Sequence, residues 1–249
     1  MLSAPPYVHL PQPRTETDVA RDRLRGTVWE RLPTAQTLYV GCLFAGRWLG
    51  RHGVTANALT YASLVLAIAA GAAAATGQLA LAGVLVLASG LCDMLDGVVA
   101  RATGTQSAYG ALLDSTVDRL TDGLPLLGLV VAYGPDGALA AIPGLAMLGG
   151  FAVSYVRARA ESLGAKLPGL FMRRPERVAL LTASLLLAEV LPHGVVFAPL
   201  LLLGISLMAV LNVVAMAAAL RAAKLALVTT RSTALRSVPD LPTGDIPSS

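Results

Sequence analysis

Four aspartates stand in one short stretch, DMLDGVVARATGTQSAYGALLDSTVD, from Asp93 to Asp118. Asp93 and Asp96 are three residues apart, and Asp114 and Asp118 four apart. On helices these spacings put each pair on one face. Apolar runs flank the stretch, and ionisable groups inside a membrane are costly and functional by default. Carboxylates crowded together repel, and they stay ionised together only where cations neutralise them. Hard oxygen donors from two helices suit Mg²⁺ or Mn²⁺, especially where a phosphate supplies further oxygens.

The rest of the chain must hold such a group in lipid. Its 249 residues are 55% hydrophobic and only 14% charged, with a mean hydropathy of +0.67. A soluble domain of this size needs more charge to cover its surface. Six apolar stretches, each near the ~20 residues that cross a hydrocarbon core, account for the excess. The N-terminal MLSAPPYVHLPQPR has no basic segment followed by an apolar one, so it reads as a tail rather than a cleaved signal. Net charge is +4 and the pI near 9.4, but aromatics are only 5% and no basic soluble face exists, which argues against nucleic acid. Every Lys and Arg lies in the N-terminal region, at Arg101 and Arg119, within 157–177, or from Arg221 onward. The turns at Gly77-Gln78, Gly134–Gly137 and Pro192–Gly194 have none. This alternation fits six spans with both ends, and the aspartates, on the cytoplasmic side.

The expected fold is an all-α integral membrane bundle of six transmembrane helices preceded by an interfacial amphipathic helix. Residues 1–33 read as a cytoplasmic tail, 34–223 as the membrane domain and 224–249 as a disordered Ser/Thr/Pro-rich tail. Residues 34–52 mix apolar and aromatic side chains with Arg47 and Arg51, as suits a helix lying along the cytoplasmic leaflet with Trp48 at headgroup depth. The spans fall near 57–76, 79–101, 107–132, 138–160, 176–191 and 195–220. Thr55 or Asn57 is placed to cap the first, and Pro175 starts the fifth. Cys42 and Cys92 have no metal-ligand spacing and read as packing residues.

As a pattern, the aspartate stretch is D-x2-D-G-x2-A-R-x8-G-x3-D-x3-D, and it resembles the CDP-alcohol phosphatidyltransferase family at Asp93, Asp96, Gly97, Ala100, Arg101, Gly110, Asp114 and Asp118. The resemblance covers roughly 34–223. It implies metal-dependent transfer of a phosphatidyl group from CDP-diacylglycerol to a small polar alcohol, with release of CMP. It further implies two Mg²⁺ or Mn²⁺ ions held by Asp93, Asp96, Asp114 and Asp118, the last also abstracting the acceptor's proton, and a homodimer in a bacterial plasma membrane. Two ions on a diphosphate would stabilise charge on both attacking and leaving oxygens. Small residues at Gly97, Ala100 and Gly110 leave room for the nucleotide, and Arg101 pairs with phosphate or, alternatively, anchors the helix at the interface. Asn57 is either a cap or a CDP-lipid contact. Asp122 falls outside the pattern and reads as the partner of Arg119 or another arginine.

A second group comprises Ser154, Arg157, Arg159 and Glu161, then Arg173, Arg174 and Arg177. They are either positive-inside charges or the wall of a phosphate pocket. SYVRARAESLG followed by RRPER is similar to the phosphatidylinositol-phosphate synthase branch, which implies that Ser154, Arg157, Arg159 and Arg177 hold the phosphate of inositol phosphate. Arg157 replaces that branch's usual lysine. NVVAMAAALR lacks its basic residue on the last helix, Arg221 being the first candidate. Phosphatidylglycerophosphate synthesis from glycerol 3-phosphate is the enzymatic alternative, and a divalent-cation transporter the alternative of another class. His9, His52 and His193 have no partner at a ligand or triad spacing, and no P-loop is present.

Overall fold

The computed structural model describes residues 16–24, 32–134, 136–165, 167–190 and 198–236. The turn around His193, most of the expected N-terminal tail and the second half of the expected C-terminal tail lie outside them. Among the described residues the protein is all-helical: α1 (Glu16–Leu24), α2 (Pro33–Arg51), α3 (Ala56–Ala75), α4 (Leu79–Thr103), α5 (Ala108–Ala132), α6 (Gly137–Ser162), α7 (Arg174–Leu187), a 3₁₀ turn (Ala188–Val190) and α8 (Pro199–Arg236).

The starts of these helices follow local chemistry. Thr55 caps α3, its Oγ1 accepting from the Ala58 amide at 3.2 Å. Ser107 caps α5 by accepting from the Gly110 amide at 3.0 Å, and Asp136 accepts from the Ala138 and Leu139 amides. Each cap satisfies an orphan donor of the first turn. Glu176 and the Arg173 backbone form the reciprocal bonds that start α7.

Four helices, α3, α4, α6 and the first thirty residues of α8, are long and apolar enough to cross a membrane. A chain with four such helices is an integral membrane protein. The other two stretches expected to span differ for clear reasons. α5 has 25 residues but carries Asp114, Asp118, Arg119 and Asp122, which lower its apolar character. α7 has 14 residues, about 21 Å of rise against a hydrocarbon core of about 30 Å.

Small residues set the packing. α3 packs against both α4 and α5. Gly71 and Gly128 let the α3 and α5 backbones touch, for a Cβ on Gly71 would lie 2.7 Å from the Leu124 carbonyl oxygen and one on Gly128 would overlap Gly71 itself. The core between the helices is accordingly rich in alanine, with Ala70, Ala74 and Ala82 fully buried beside Leu129 and Leu185. α8 crosses α6, where a Cβ on Gly149 would lie 2.9 Å from the Asn212 Cβ. α2 packs on α4 through Gly46 and Val98, leaving Leu38, Phe44 and Trp48 exposed. Cys42 and Cys92 are free and half-buried.

α8 departs from the sequence reading. Its 38 residues continue to Arg236, into the 224–249 stretch read as a disordered tail. KLALVTTRSTALR contains neither Gly nor Pro, so extending the helix adds one hydrogen bond per residue without a breaker. Ala226 and Leu227 pack against Ala160, Ala165 and Ala223 in a small apolar cluster that ties the start of this extension to the end of α6.

Candidate active site

The aspartate-bearing turns of α4 and α5 face one another. One carboxylate oxygen each from Asp93, Asp114 and Asp118 lies within 4.8 Å of the other two. Two oxygens bound to one Mg²⁺ at about 2.1 Å are at most about 4.2 Å apart, so a small side-chain adjustment brings this set onto a common ion. The donors are three hard oxygens from half-buried carboxylates, which fits a divalent cation. Asp93 Oδ1 adds to the fit, being buried without a hydrogen-bond partner among the described residues.

Asp96 is placed differently. It is buried, and its Oδ2 accepts from Thr60 Oγ1 of α3 at 2.6 Å. With Asp114 it lines a cleft of about 370 Å³ whose wall also contains Asn57, Gly97, Ala100, Arg101 and Gly110. All five residues expected to contact the CDP-lipid are therefore in one place. Because Thr55 caps α3, the Asn57 side chain is left to the cleft. A Cβ at Gly97 would lie 3.1 Å from Arg101 Nη1, so the missing side chain lets the guanidinium fold back over α4.

A second cleft, of about 360 Å³, opens one turn further along α5. Asp118 lines it with Ser154, Arg157, Arg173, Arg174 and Arg177. Arg159 is exposed and outside it, on the opposite side of α6 from Arg157. Arg221 lines neither cleft. The contribution of α8 to this region is Asn212, fully buried, whose Nδ2 donates to the Ala146 carbonyl at 3.0 Å.

The arginines fall into two kinds. Arg177 is locked: Nη2 donates to Asp122 Oδ2 at 2.5 Å and to Ser154 Oγ at 3.3 Å, and Nη1 to the Met172 carbonyl at 2.9 Å. Met172 holds that carbonyl with a φ of 55°, a left-handed conformation that strains a side-chain-bearing residue. Arg157 donates Nη2 to the Leu170 carbonyl at 3.2 Å while its buried Nε has no partner among the described residues. Arg174 reaches the aspartates. Its Nη1 pairs with Asp93 Oδ2 and lies 2.8 Å from Asp118 Oδ1, a charge contact without hydrogen-bond alignment. Nη2 donates to Thr121 Oγ1 at 2.8 Å and Nε lies 3.4 Å from Asp122 Oδ1. Asp122 is thus an arginine partner, though of Arg177 and Arg174, while Arg119 bonds the Ser115 carbonyl on its own helix. Thr60, Thr121 and Asn212 are absent from the sequence reading. Polar residues in otherwise apolar helices were their only signal.

The carboxylate cluster is the wall shared by two clefts, one lined by small residues and one by guanidiniums. The sequence profile described as CDP-alcohol phosphatidyltransferase matches residues 53–217. The chain belongs to the CDP-alcohol phosphatidyltransferase family. Among its relatives within the family, the archaetidylinositol phosphate synthase of Methanothermobacter thermautotrophicus is 42% identical over 54% of this chain and 67% of its own length. The phosphatidylinositol phosphate synthase of Mycobacteroides abscessus is 36% identical over 54% of this chain and 63% of its own length. The crystal structure of Mycobacterium tuberculosis phosphatidylinositol phosphate synthase with CDP-DAG bound superposes with a TM-score of 0.65 at 30% identity, covering 73% of this chain and 92% of that one. A second structure of that protein, in complex with manganese and citrate, gives the same TM-score over 88% of its length. Family membership makes the chain a transferase of phospholipid biosynthesis and replaces the transporter alternative.

Proposed function

We propose that this enzyme transfers the phosphatidyl group of CDP-diacylglycerol to inositol phosphate and releases CMP. The observation that carries the proposal is the pairing of the two clefts across one carboxylate cluster. The CDP-DAG complex of the mycobacterial neighbour and the names of the relatives support the two substrates. CDP lies in the cleft of Asn57, Gly97, Ala100, Arg101 and Gly110, with Arg101 against phosphate. Ser154, Arg157 and Arg177 hold the acceptor phosphate, whereas Arg159, exposed and outside the cleft, does not line it.

The acceptor hydroxyl forms a new P–O bond to the lipid-bearing phosphorus, the P–O bond to CMP breaks, and the hydroxyl proton passes to Asp118. Asp93, Asp96, Asp114 and Asp118 hold two divalent ions, Mg²⁺ or Mn²⁺, the mycobacterial complex with manganese supporting the choice. When bound, these ions neutralise the diphosphate and stabilise charge on the attacking and leaving oxygens. Within the chain, Thr60 fixes one orientation of Asp96, and Arg177, held by Asp122, presents a rigid donor to the cleft.

The same reading includes α5 and α7 as spans, making six, with α2 along the interface. The membrane domain spans 34–223, the active site faces the cytoplasm of a bacterial plasma membrane, and the enzyme is a homodimer. CMP release by purified protein with CDP-diacylglycerol and Mg²⁺ tests the chemistry, with inositol phosphate, free inositol, glycerol 3-phosphate and serine offered in parallel. Turnover with inositol phosphate alone is expected. Turnover with glycerol 3-phosphate instead makes the enzyme a phosphatidylglycerophosphate synthase, and turnover with none of them removes the proposed reaction.

A further inference from the structure

Arg174 is the first residue of α7, and its guanidinium has two possible sets of partners. On one side its Nη1 holds Asp93 and Asp118, two of the three carboxylates whose oxygens converge. On the other side it lines the arginine cleft with Ser154 and Arg157. A divalent ion held by Asp93 and Asp118 stands beside this guanidinium, and two cations repel when both crowd the same carboxylates. Arg177 is different, with Asp122, Ser154 and the Met172 carbonyl taking four hydrogen bonds that fix its position and leave one Nη1 donor for the cleft. Arg174 is tied to Asp93 and Asp118 mainly by charge, and its remaining bonds go to Thr121 and to Asp122, which lines the cleft.

We propose that Arg174 is an exchangeable internal cation: it yields Asp93 and Asp118 to the divalent metal and turns its freed donors to an oxyanion in the arginine cleft. Metal and acceptor anion then bind with positive coupling, each tightening the other, because each favours the same Arg174 position. The inference rests on the metal-dependent reading above and adds an order to it. Metal loading creates part of the acceptor site, so the acceptor is gripped fully only where the donor side is charged with metal. An arginine suits this exchange. It never loses its charge, and its planar fork serves carboxylate and phosphate oxygens equally well.

The test is Mn²⁺ binding to the full chain in detergent, read by the electron paramagnetic resonance of free Mn²⁺, with and without sulfate as a soluble tetrahedral dianion. In the unsubstituted protein sulfate should tighten Mn²⁺ binding by about fivefold or more. Arg174→Gln removes the competing cation, so Mn²⁺ alone should bind about tenfold tighter or more and sulfate should no longer tighten it. Arg174→Lys keeps a charge without the fork. It should bind Mn²⁺ more tightly than the unsubstituted protein and show reduced coupling, and it decides the matter if the glutamine variant does not fold. Equal or weaker Mn²⁺ binding in the folded variants overturns the proposal while leaving the metal site intact. If neither the unsubstituted protein nor the variants bind Mn²⁺, the metal-dependent reading fails, and the proposal fails with it.

Discussion

Asp122 lies outside the eight-position pattern shared with the family, yet it neutralises two arginines. Its Oδ2 accepts from Arg177 at 2.5 Å and its Oδ1 lies 3.4 Å from Arg174 Nε. Removing one partner of a buried ion pair leaves an uncompensated charge, which typically costs about 3–5 kcal/mol. Asp122→Ala is therefore expected to lower the melting temperature of the detergent-solubilised protein sharply, and Asp122→Asn, which keeps some hydrogen bonding, to lower it less. Equal melting of the alanine variant and the parent would show that water reaches Arg177. Asp118 makes the opposite kind of prediction. Asp118→Asn preserves shape and removes the proposed base, so CMP release should fall about 10²–10⁴-fold with melting unchanged or raised, since one of several crowded carboxylates is gone. A twofold loss would assign proton transfer elsewhere.

Helices α3 and α5 must approach closely for the aspartate face of α5 to sit opposite that of α4, and two glycines permit it. Gly128→Ala puts a methyl group where the Gly71 carbonyl lies, and overpacking of this kind costs typically about 1–3 kcal/mol. A lower melting temperature and reduced turnover should appear together, because the same displacement separates Asp114 from Asp93. Gly41→Ala is the control. Nothing lies within 4 Å of a Cβ there, and in a helix the exchange favours alanine by up to about 1 kcal/mol. Its melting temperature should hold or rise slightly. Were Gly128→Ala equally harmless, the α3–α5 contact would be more compliant than its geometry indicates.

Over the molecule as a whole, the two clefts sit at one end of the helices, and the six crossings proposed above would put that end in the cytoplasm. In a chain whose Cys42 and Cys92 are replaced by alanine, an impermeant maleimide should label Thr105→Cys, Ser162→Cys and Lys224→Cys from the cytoplasmic side. Gln78→Cys, Ala138→Cys and Pro199→Cys should label from the other. Thr105 and Ala138 labelled from the same side would mean that α5, with its four charges, does not cross. The metal prediction is also global, since the cluster joins α4 to α5. Chelation with EDTA should abolish turnover and lower the melting temperature, because ligand binding to the native state alone stabilises it. Mg²⁺ or Mn²⁺ should restore both.

Spacing alone located the chemistry. Asp93, Asp114 and Asp118 are ligand-spaced because helical periodicity fixes which residues share a face, and the pattern needs no knowledge of neighbouring helices. Apolar length and the distribution of Lys and Arg likewise made the chain a helical membrane protein, because lipid imposes those constraints on every segment separately. Partner choice was different. Which arginine meets which carboxylate depends on the tilt and separation of α5, α6 and α7, so Arg119 bonds its own helix while Arg177 takes Asp122 and Arg174 reaches Asp93. Arg157 and Arg159 differ by two positions, about 200° around a helix, and only the packed bundle decides which of them faces the cleft. Thr55 and Asn57 both had cap chemistry, and the backbone's entry into α3 gave the cap to Thr55 and left Asn57 to the cleft. Local periodicity is written in the chain. Long-range pairing is settled only when the helices pack, because burial and charge then select among contacts that are equally available to the sequence.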